Sequence, residues 1–492
     1  MLISDPTDKT LDRVSKIGIE YKIPEWLAKS VYWLLKEETV VIPTETVYGL
    51  AANALSENAV SKIYKAKSRP SDNPLIVHVS SLEMLLDLYK TSENEDLDST
   101  ETSLNLDIIP KIYHQLVYQF WPGPLTIVLP RPKCIPDIVL GYNTKSNTVA
   151  FRLPDHEIAR AIIELSGLPL AAPSANSSGL PSPTLAKHVL SDLDGLVPLI
   201  IDAGPCQVGL ESTVIDAISE TLPNIKLDIE KFKEQVDCYN TVMDSDDNLM
   251  VKVPCILRPG KITIEKIYGM INKSPQSSEQ DLQIKTNMWE FTRIYGKSFK
   301  NRDVEIAPTT PGMKYRHYSP HAKVALFVPP KQDSSCQNRA ESAGIEATKS
   351  QMLNTLNNLA IFSNDNDLGD IKKVGIIYIK HQYDWLKSIN NEFNVKILKY
   401  EQNNDSLAIE DHYIDKEINL GLPNNGKDGR NELIACSVEN ILDLGCSIFG
   451  LLRTMDELKV ELIMVEGVLE DNEGLAIMNR LDKAASTRIL CK

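Results

Sequence analysis

The chain has 492 residues, 42% of them hydrophobic and 24% charged, enough apolar material for two or three domain cores. Its formal charge of −15 argues against a broad nucleic-acid-binding face but leaves room for a small basic pocket. No apolar run approaches the about 20 residues a bilayer span needs. The start, MLISDPTDKTLDR, lacks the layout of a secretory signal and is too acidic for a transit peptide. Eight cysteines without CxxC pairs argue against structural zinc and for reduced thiols in a cytoplasmic setting.

In chain order, EWLAKSVYWLLKEE (25–38) spaces Trp26, Leu27, Val31, Leu34 and Leu35 as a helix with one buried face. TVVIPT (39–44) reads as a strand, and the hydroxyls and acid of the following TETVYG form either a binding site or turn chemistry. Ser56 caps a helix over ENAVSKIYKAK, which ends in a basic knot of Lys62, Lys65, Lys67 and Arg69. Pro70 pushes Arg69 out of helical geometry, so Lys67 and Arg69 are expected on one side of an extended segment, facing one anion, with Asn73 nearby. Cations that only complement the helix dipole are the alternative.

PLIVHV (74–79), LTIVLP (125–130), TVAFRLP (148–154) and STVIDA (212–217) read as further strands, with a helix over HEIARAIIELSG (156–167). His78 is either a base or a satisfied core histidine. Arg152 is a lone charge in an apolar strand, where it calls for a partner such as a carboxylate. AAPSANSSGLPSPT (171–184) follows an apolar run, as an anion nest at a strand end would, against the alternative of a flexible polar loop. Arg258 stands similarly before Pro-Gly.

Three segments, 91–107, 331–350 and about 401–430, are polar enough to be mobile surface loops. A second α/β unit begins near His321 with KVALFV (323–328), and continues through LAIF (359–362), KVGIIYI (373–379), VKILKY (395–400) and ELIMVEGV (461–468). The chemistry of these residues defines a pocket of cations, hydroxyls and an amide for a nucleotide and an acid.

PTETVYGL, KSRPSDNPLIVH, WPGPLTIVL, FRLP, APSANSSGLPSPT, ESTVID and LRPG follow one another in an order that resembles the YrdC-domain threonylcarbamoyl-AMP synthases. PGMKYRHYSP (311–320) and EGLAIMNRLDKAAS (473–486) resemble the linker and the end of the extra domain in the long form of that family. The resemblance implies an α/β catalytic domain at 24–270, a YrdC-like twisted sheet with helices and a concave pocket. It further implies a linker or lid at 271–320 and a smaller Rossmann-like α/β domain at 321–492.

The implied reaction joins L-threonine, bicarbonate or CO2 and ATP into threonylcarbamoyl-AMP and pyrophosphate. A separate tRNA threonylcarbamoyl-transferase complex would then modify position 37 of tRNA. By the same resemblance Lys67 and Arg69 are catalytic, and Thr46, His78, Arg152 and Ser212 hold threonine. Lys67, Arg69, Asn73, Thr126, Ser174, Asn176, Ser182, Arg258 and Tyr315 hold the nucleotide. Mg2+ would come with ATP, held by phosphates and water rather than by protein ligands. The alternative is an RNA-binding module of the same fold, with a weak tRNA contact, although no RNP-like aromatic motif supports it. A carbamoyltransferase of the hydrogenase-maturation type would add zinc-finger cysteines, which this chain lacks.

Overall fold

The computed structural model describes residues 23–90, 108–142, 147–227, 241–243, 249–271, 292–298, 300, 317–330, 337–357, 371–379, 393–399 and 431–491. The chain divides into two compact units. The first comprises 1–178, 189–203 and 211–315; the second comprises 179–188, 204–210 and 316–492. Two segments from within the stretch 24–270 therefore cluster with the second unit.

Among the described residues, the first unit has twelve strands. They are β1 (Val40–Ile42), β2 (Gly49–Asn53), β3 (Ile76–His78), β4 (Leu125–Pro130), β5 (Thr148–Arg152), β6 (Leu170–Ala171), β7 (Thr213–Asp216), β8 (Asn224–Leu227), β9 (Thr241–Met243), β10 (Leu249–Lys252), β11 (Cys255–Arg258) and β12 (Arg293–Ile294). Nine form a mixed sheet in the order β1-β2-β6-β3-β5-β4-β7-β11-β12, and β8-β10-β9 form a small antiparallel sheet. Residues 293–294, within the stretch expected as a linker, are thus the edge strand of the main sheet.

Helix Glu25–Leu35 covers one face of that sheet beside helix Glu157–Ser166. Leu27, Leu34, Ile162 and Ile163 meet Val40, Ile42 and Ala51 in a shared apolar cluster. Gly167 ends the second helix in the left-handed conformation that glycine adopts without a Cβ penalty. Helix Glu57–Lys67 starts at Ser56, whose hydroxyl accepts from the Ala59 amide at 3.2 Å, as its sequence predicts.

The end of that helix differs from the expected extended segment. Lys67 is the last helical residue, and Ser68 turns the chain through the left-handed region at φ 50°. Its amide closes on the helix carbonyls, as does that of Arg69 on Tyr64 at 3.0 Å. The αL turn, rather than Pro70 alone, terminates the helix, so Lys67 and Arg69 leave it in different directions.

The second unit carries β13 (Lys323–Val328), β14 (Lys373–Ile379), β15 (Phe393–Lys399), β16 (Asn431–Val438), β17 (Leu462–Glu466) and β18 (Thr487–Leu490). All pair in parallel, in the order β15-β16-β14-β17-β13-β18, the parallel α/β sheet expected of this unit. Ala325, Phe327, Val374, Ile376 and Met464 centre its core. Residues 337–357, expected in part as a mobile loop, instead form a helix that packs on β13 and β17. Its C-terminal half supplies Met352 and Leu356 to the core, which the polar first half hides when 331–350 is read alone. Segments 91–107, 359–362 and 401–430 lie outside the described residues. Among the described residues, no helix is long and apolar enough to cross a membrane.

Candidate active site

The strand ends of the first unit gather buried polar side chains. His78, Arg152 and Thr126 are register partners across β3, β5 and β4, so their side chains leave the same face of the sheet. All three are buried. Ser212, just before β7, bonds Thr126 hydroxyl to hydroxyl at 2.7 Å. Arg258 on β11 donates to the Ser212 carbonyl at 3.1 Å and to its hydroxyl at 3.0 Å. Gly260 makes that approach possible, because a Cβ there would stand 2.5 Å from the Thr213 amide nitrogen. Ser212 thereby links residues expected at the threonine end with residues expected at the nucleotide end.

Arg152 is held from three sides. Its Nη1 donates to Thr46 Oγ1 at 2.8 Å and its Nε to the Gly123 carbonyl at 3.3 Å. Its Nη2 lies 2.5 Å from Glu45 Oε1, and both side chains are almost wholly buried. Proximity and direction disagree here. The charges touch, yet neither Glu45 oxygen nor Arg152 Nη2 has a partner in hydrogen-bonding geometry. The pair is an electrostatic contact with its directional bonds unmade.

Lys67 forms the second centre. Fully buried at the end of its helix, it donates to the carbonyls of Ser174 and Asn176 and to Asn176 Oδ1 at 3.3 Å. Ser174 donates to the same Asn176 oxygen at 2.5 Å. These neutral oxygens satisfy ammonium donors without cancelling the charge, an arrangement that suits an incoming anion. A bridge from Gly49 to Ser174, with Leu50 donating to Pro173 at 2.8 Å, ties the loop to β2. The lysine, serine and asparagine singled out in the sequence therefore come together.

Arg69 turns elsewhere, donating to the carbonyls of Asn73 at 3.2 Å and Pro74 at 3.0 Å. It braces the loop that presents Asn73, whose buried Nδ2 donates to no partner. His78 is an uncharged group: burial, then the positive charge of Arg152, lowers its pKa to about 3. A neutral imidazole can orient a hydroxyl but cannot act as an acid near pH 7. Ser182 is buried in the second unit, and Tyr315 lies outside the described residues. Its neighbour Tyr318 is buried in the second unit, 5.1 Å from the Phe449 ring.

Glu45 is the site residue that its sequence context conceals. In PTETVYGL it stands as one acid among hydroxyls, with nothing to distinguish it from turn chemistry. The available signal is an acid enclosed by apolar and hydroxyl residues on both sides, the mirror image of the argument that singles out Arg152.

A mixed α/β sheet that gathers buried guanidinium and ammonium groups with hydroxyls and amides has the chemistry to receive small anions such as a carboxylate or a phosphate. Residues 33–226 match the family described as "Telomere recombination", and residues 262–486 match "Threonylcarbamoyl-AMP synthase, C-terminal domain". The threonylcarbamoyl-AMP synthase of Schizosaccharomyces pombe is 36% identical over 91% of this chain and 85% of its own. That of Pyrococcus abyssi is 34% identical over 96% of this chain and 98% of its own. The crystal structure of P. abyssi Sua5 complexed with L-threonine superposes with a TM-score of 0.59 at 31% identity, covering 96% and 97% of the two chains. The chain belongs to the threonylcarbamoyl-AMP synthase family, in its long two-domain form.

Proposed function

We propose that this chain catalyses formation of threonylcarbamoyl-AMP and pyrophosphate from L-threonine, bicarbonate or CO2, and ATP. The observation that carries the reading is the full-length likeness to relatives named for this activity. The geometry supports it with two centres of the right charge in one unit.

The threonine amine, once neutral, adds to the carbon of CO2 and loses a proton, or adds to bicarbonate and expels water, and either route gives a carbamate. A carbamate oxygen attacks the α-phosphorus of ATP, and pyrophosphate leaves. Negative charge develops on phosphoryl oxygens, so fixed cations and positioning supply most of the catalysis. Lys67, with Ser174 and Asn176, faces the phosphates, and Arg69 braces Asn73 toward the nucleotide. Thr126 and Arg258 belong to the same nucleotide end. Arg152, with Thr46, His78 and Ser212, receives the amino acid and its carboxylate.

Magnesium enters as MgATP, the substrate form, coordinated by phosphates and water. Among the described residues, no cluster of three acidic, histidine or cysteine side chains would compete for it. The product passes to a transferase complex acting on position 37 of tRNA, with the work done in the cytoplasm. Incubation with ATP, threonine and bicarbonate should release pyrophosphate without tRNA. Binding of tRNA with a steep salt dependence and no pyrophosphate release would favour an RNA-binding module instead.

A further inference from the structure

Glu45 presents a problem that the assigned roles do not solve. Its carboxylate is buried against Arg152, and neither oxygen accepts a hydrogen bond. Asp216, an equally buried acid of the same unit, shows the usual solution: it accepts from the Ile218 and Ser219 amides, both at 3.0 Å. A second unsatisfied atom accompanies Glu45. His156 lies close enough for Glu45 to act on its charge, and its buried Nδ1 also has no partner. Unmade hydrogen bonds of this kind are costly unless something enters to make them.

The substrate proposed above supplies the missing groups, and the role of Glu45 rests on that functional reading. Free threonine is a zwitterion. Moved into a buried pocket, its carboxylate needs a cation and its ammonium needs an anion. Arg152 is the cation, but Glu45 already lies against it. We propose that Glu45 is the ammonium receptor of the amino-acid site, and that without substrate it occupies Arg152 in place of the substrate carboxylate.

Binding is then an exchange of partners. The incoming carboxylate takes the Arg152 fork, Glu45 is released toward the ammonium, and its oxygens acquire the N–H donors they lack. The total charge enclosed is unchanged, so a zwitterion enters without burying a net charge. A ligand with the carboxylate alone would displace Glu45 and leave it buried with no counter-ion, so the exchange selects for the amine.

Calorimetric titration of the full chain tests this with two probes: L-threonine, and 3-hydroxybutyrate, which keeps the carboxylate and hydroxyl and lacks the ammonium. Wild type should bind threonine at least about tenfold more tightly than hydroxybutyrate, by the weight of one charged hydrogen bond. In Glu45→Gln the preference should invert. Threonine should weaken roughly tenfold to a hundredfold, and hydroxybutyrate should tighten because Arg152 is freed.

A wild type that binds hydroxybutyrate as well as threonine overturns the assignment without any variant, whether or not Glu45→Gln folds. So does a Glu45→Gln protein that weakens both probes equally, which would mark a structural role. Loss specific to threonine in Glu211→Gln and not in Glu45→Gln would give the role to Glu211, another buried acid of the unit. A wild type that binds no threonine at all would instead strike at the proposed function.

Discussion

The main sheets of the two units end two of their strands in opposite ways. In the first unit, β5 ends on Arg152, whose Nη2 has no hydrogen bond, and Asn73 leads toward β3 with an amide donor unused. In the second, β17 ends on Glu466, buried and bonded to the Ile379 amide at 2.8 Å. Both are α/β units with polar groups at strand ends, where such folds place ligands. The end of β5 leaves a directional donor open, while the end of β17 closes its acid on the backbone of its own unit. Buried polar groups that a fold could have satisfied and did not are a sign of work done on something else. That contrast supports placing the proposed chemistry in the first unit.

The sharpest way to break the comparison is to remove the cation that neutral oxygens hold. Lys67→Ala should lower pyrophosphate release about 10²- to 10³-fold, the scale of losing a preorganised charge at a phosphoryl group. Its effect on the fold should be smaller, since Ser174 and Asn176 remain tied to β2 and to each other. Arg69→Ala should cost less than Lys67→Ala, because Arg69 acts partly through the loop that presents Asn73. Near wild-type turnover by a folded Lys67→Ala protein would end the assignment.

Arg152→Ala should act on both stability and substrate. It strands Glu45 as a buried unpaired charge, which costs about 3–5 kcal/mol when one partner of such a pair is removed. In the protein that survives, the threonine KM should rise far more than the ATP KM. An equal rise in both would place Arg152 between the two ends, with Ser212.

The two strand ends also carry opposite pH signatures. His78 is lowered by burial and Arg152 to about 3, so between about pH 6.5 and 3 the unfolded chain binds a proton that the native state does not. Stability falls as pH drops through that window, by about 1.4 kcal/mol at pH 5.5 for this one group. Burial raises Glu466 to about 7, so its contribution is fully present below about pH 4.5 and is lost as pH rises through 7. Thermal unfolding at pH 5 and pH 8 should show the acid-side loss reduced in His78→Gln and the alkaline-side loss reduced in Glu466→Gln. His188, also lowered to about 3 by burial and then by Arg453, preserves part of the acid-side slope in the first variant. Variants whose profiles run parallel to wild type would remove both assignments.

Much of both units is legible in the sequence because the signals are local. LTIVLP and KVGIIYI match their strands residue for residue, and the Ser56 cap comes from a short motif, whereas the grouping of Lys67 with Ser174 and Asn176 comes from the family resemblance. What stays hidden depends on distance in sequence. Glu45 is significant only because β5 brings Arg152 to it across more than a hundred residues, and no local pattern contains that pairing. The helix Gln337–Asn357 begins with polar residues resembling an insert, while its C-terminal half carries Met352 and Leu356 into the core. The separate directions of Lys67 and Arg69 rest on a left-handed Ser68, which the proline after Arg69 obscures.

The smallest expected effect separates stability from chemistry within the same helices. Ser56 caps the helix that ends at Lys67, and Asn440 caps the helix Ile441–Glu457, accepting from the Asp443 amide at 3.0 Å. Each loss should cost its own unit about 1 kcal/mol, the usual weight of an N-cap. Ser56→Ala also removes the hydroxyl's bond to Glu37 at 2.7 Å, so its effect should be the larger. Lys67 lies at the far end of an eleven-residue helix, and loss of a cap frays the first turn, not the last. Ser56→Ala should therefore lower the melting temperature of the first unit and leave pyrophosphate release at 25 °C unchanged. Asn440→Ala should lower a transition belonging to the second unit, and calorimetry would detect it separately if the two units unfold independently. A Ser56→Ala protein that loses activity in proportion to Lys67→Ala would mean that the helix start and the phosphate centre move together.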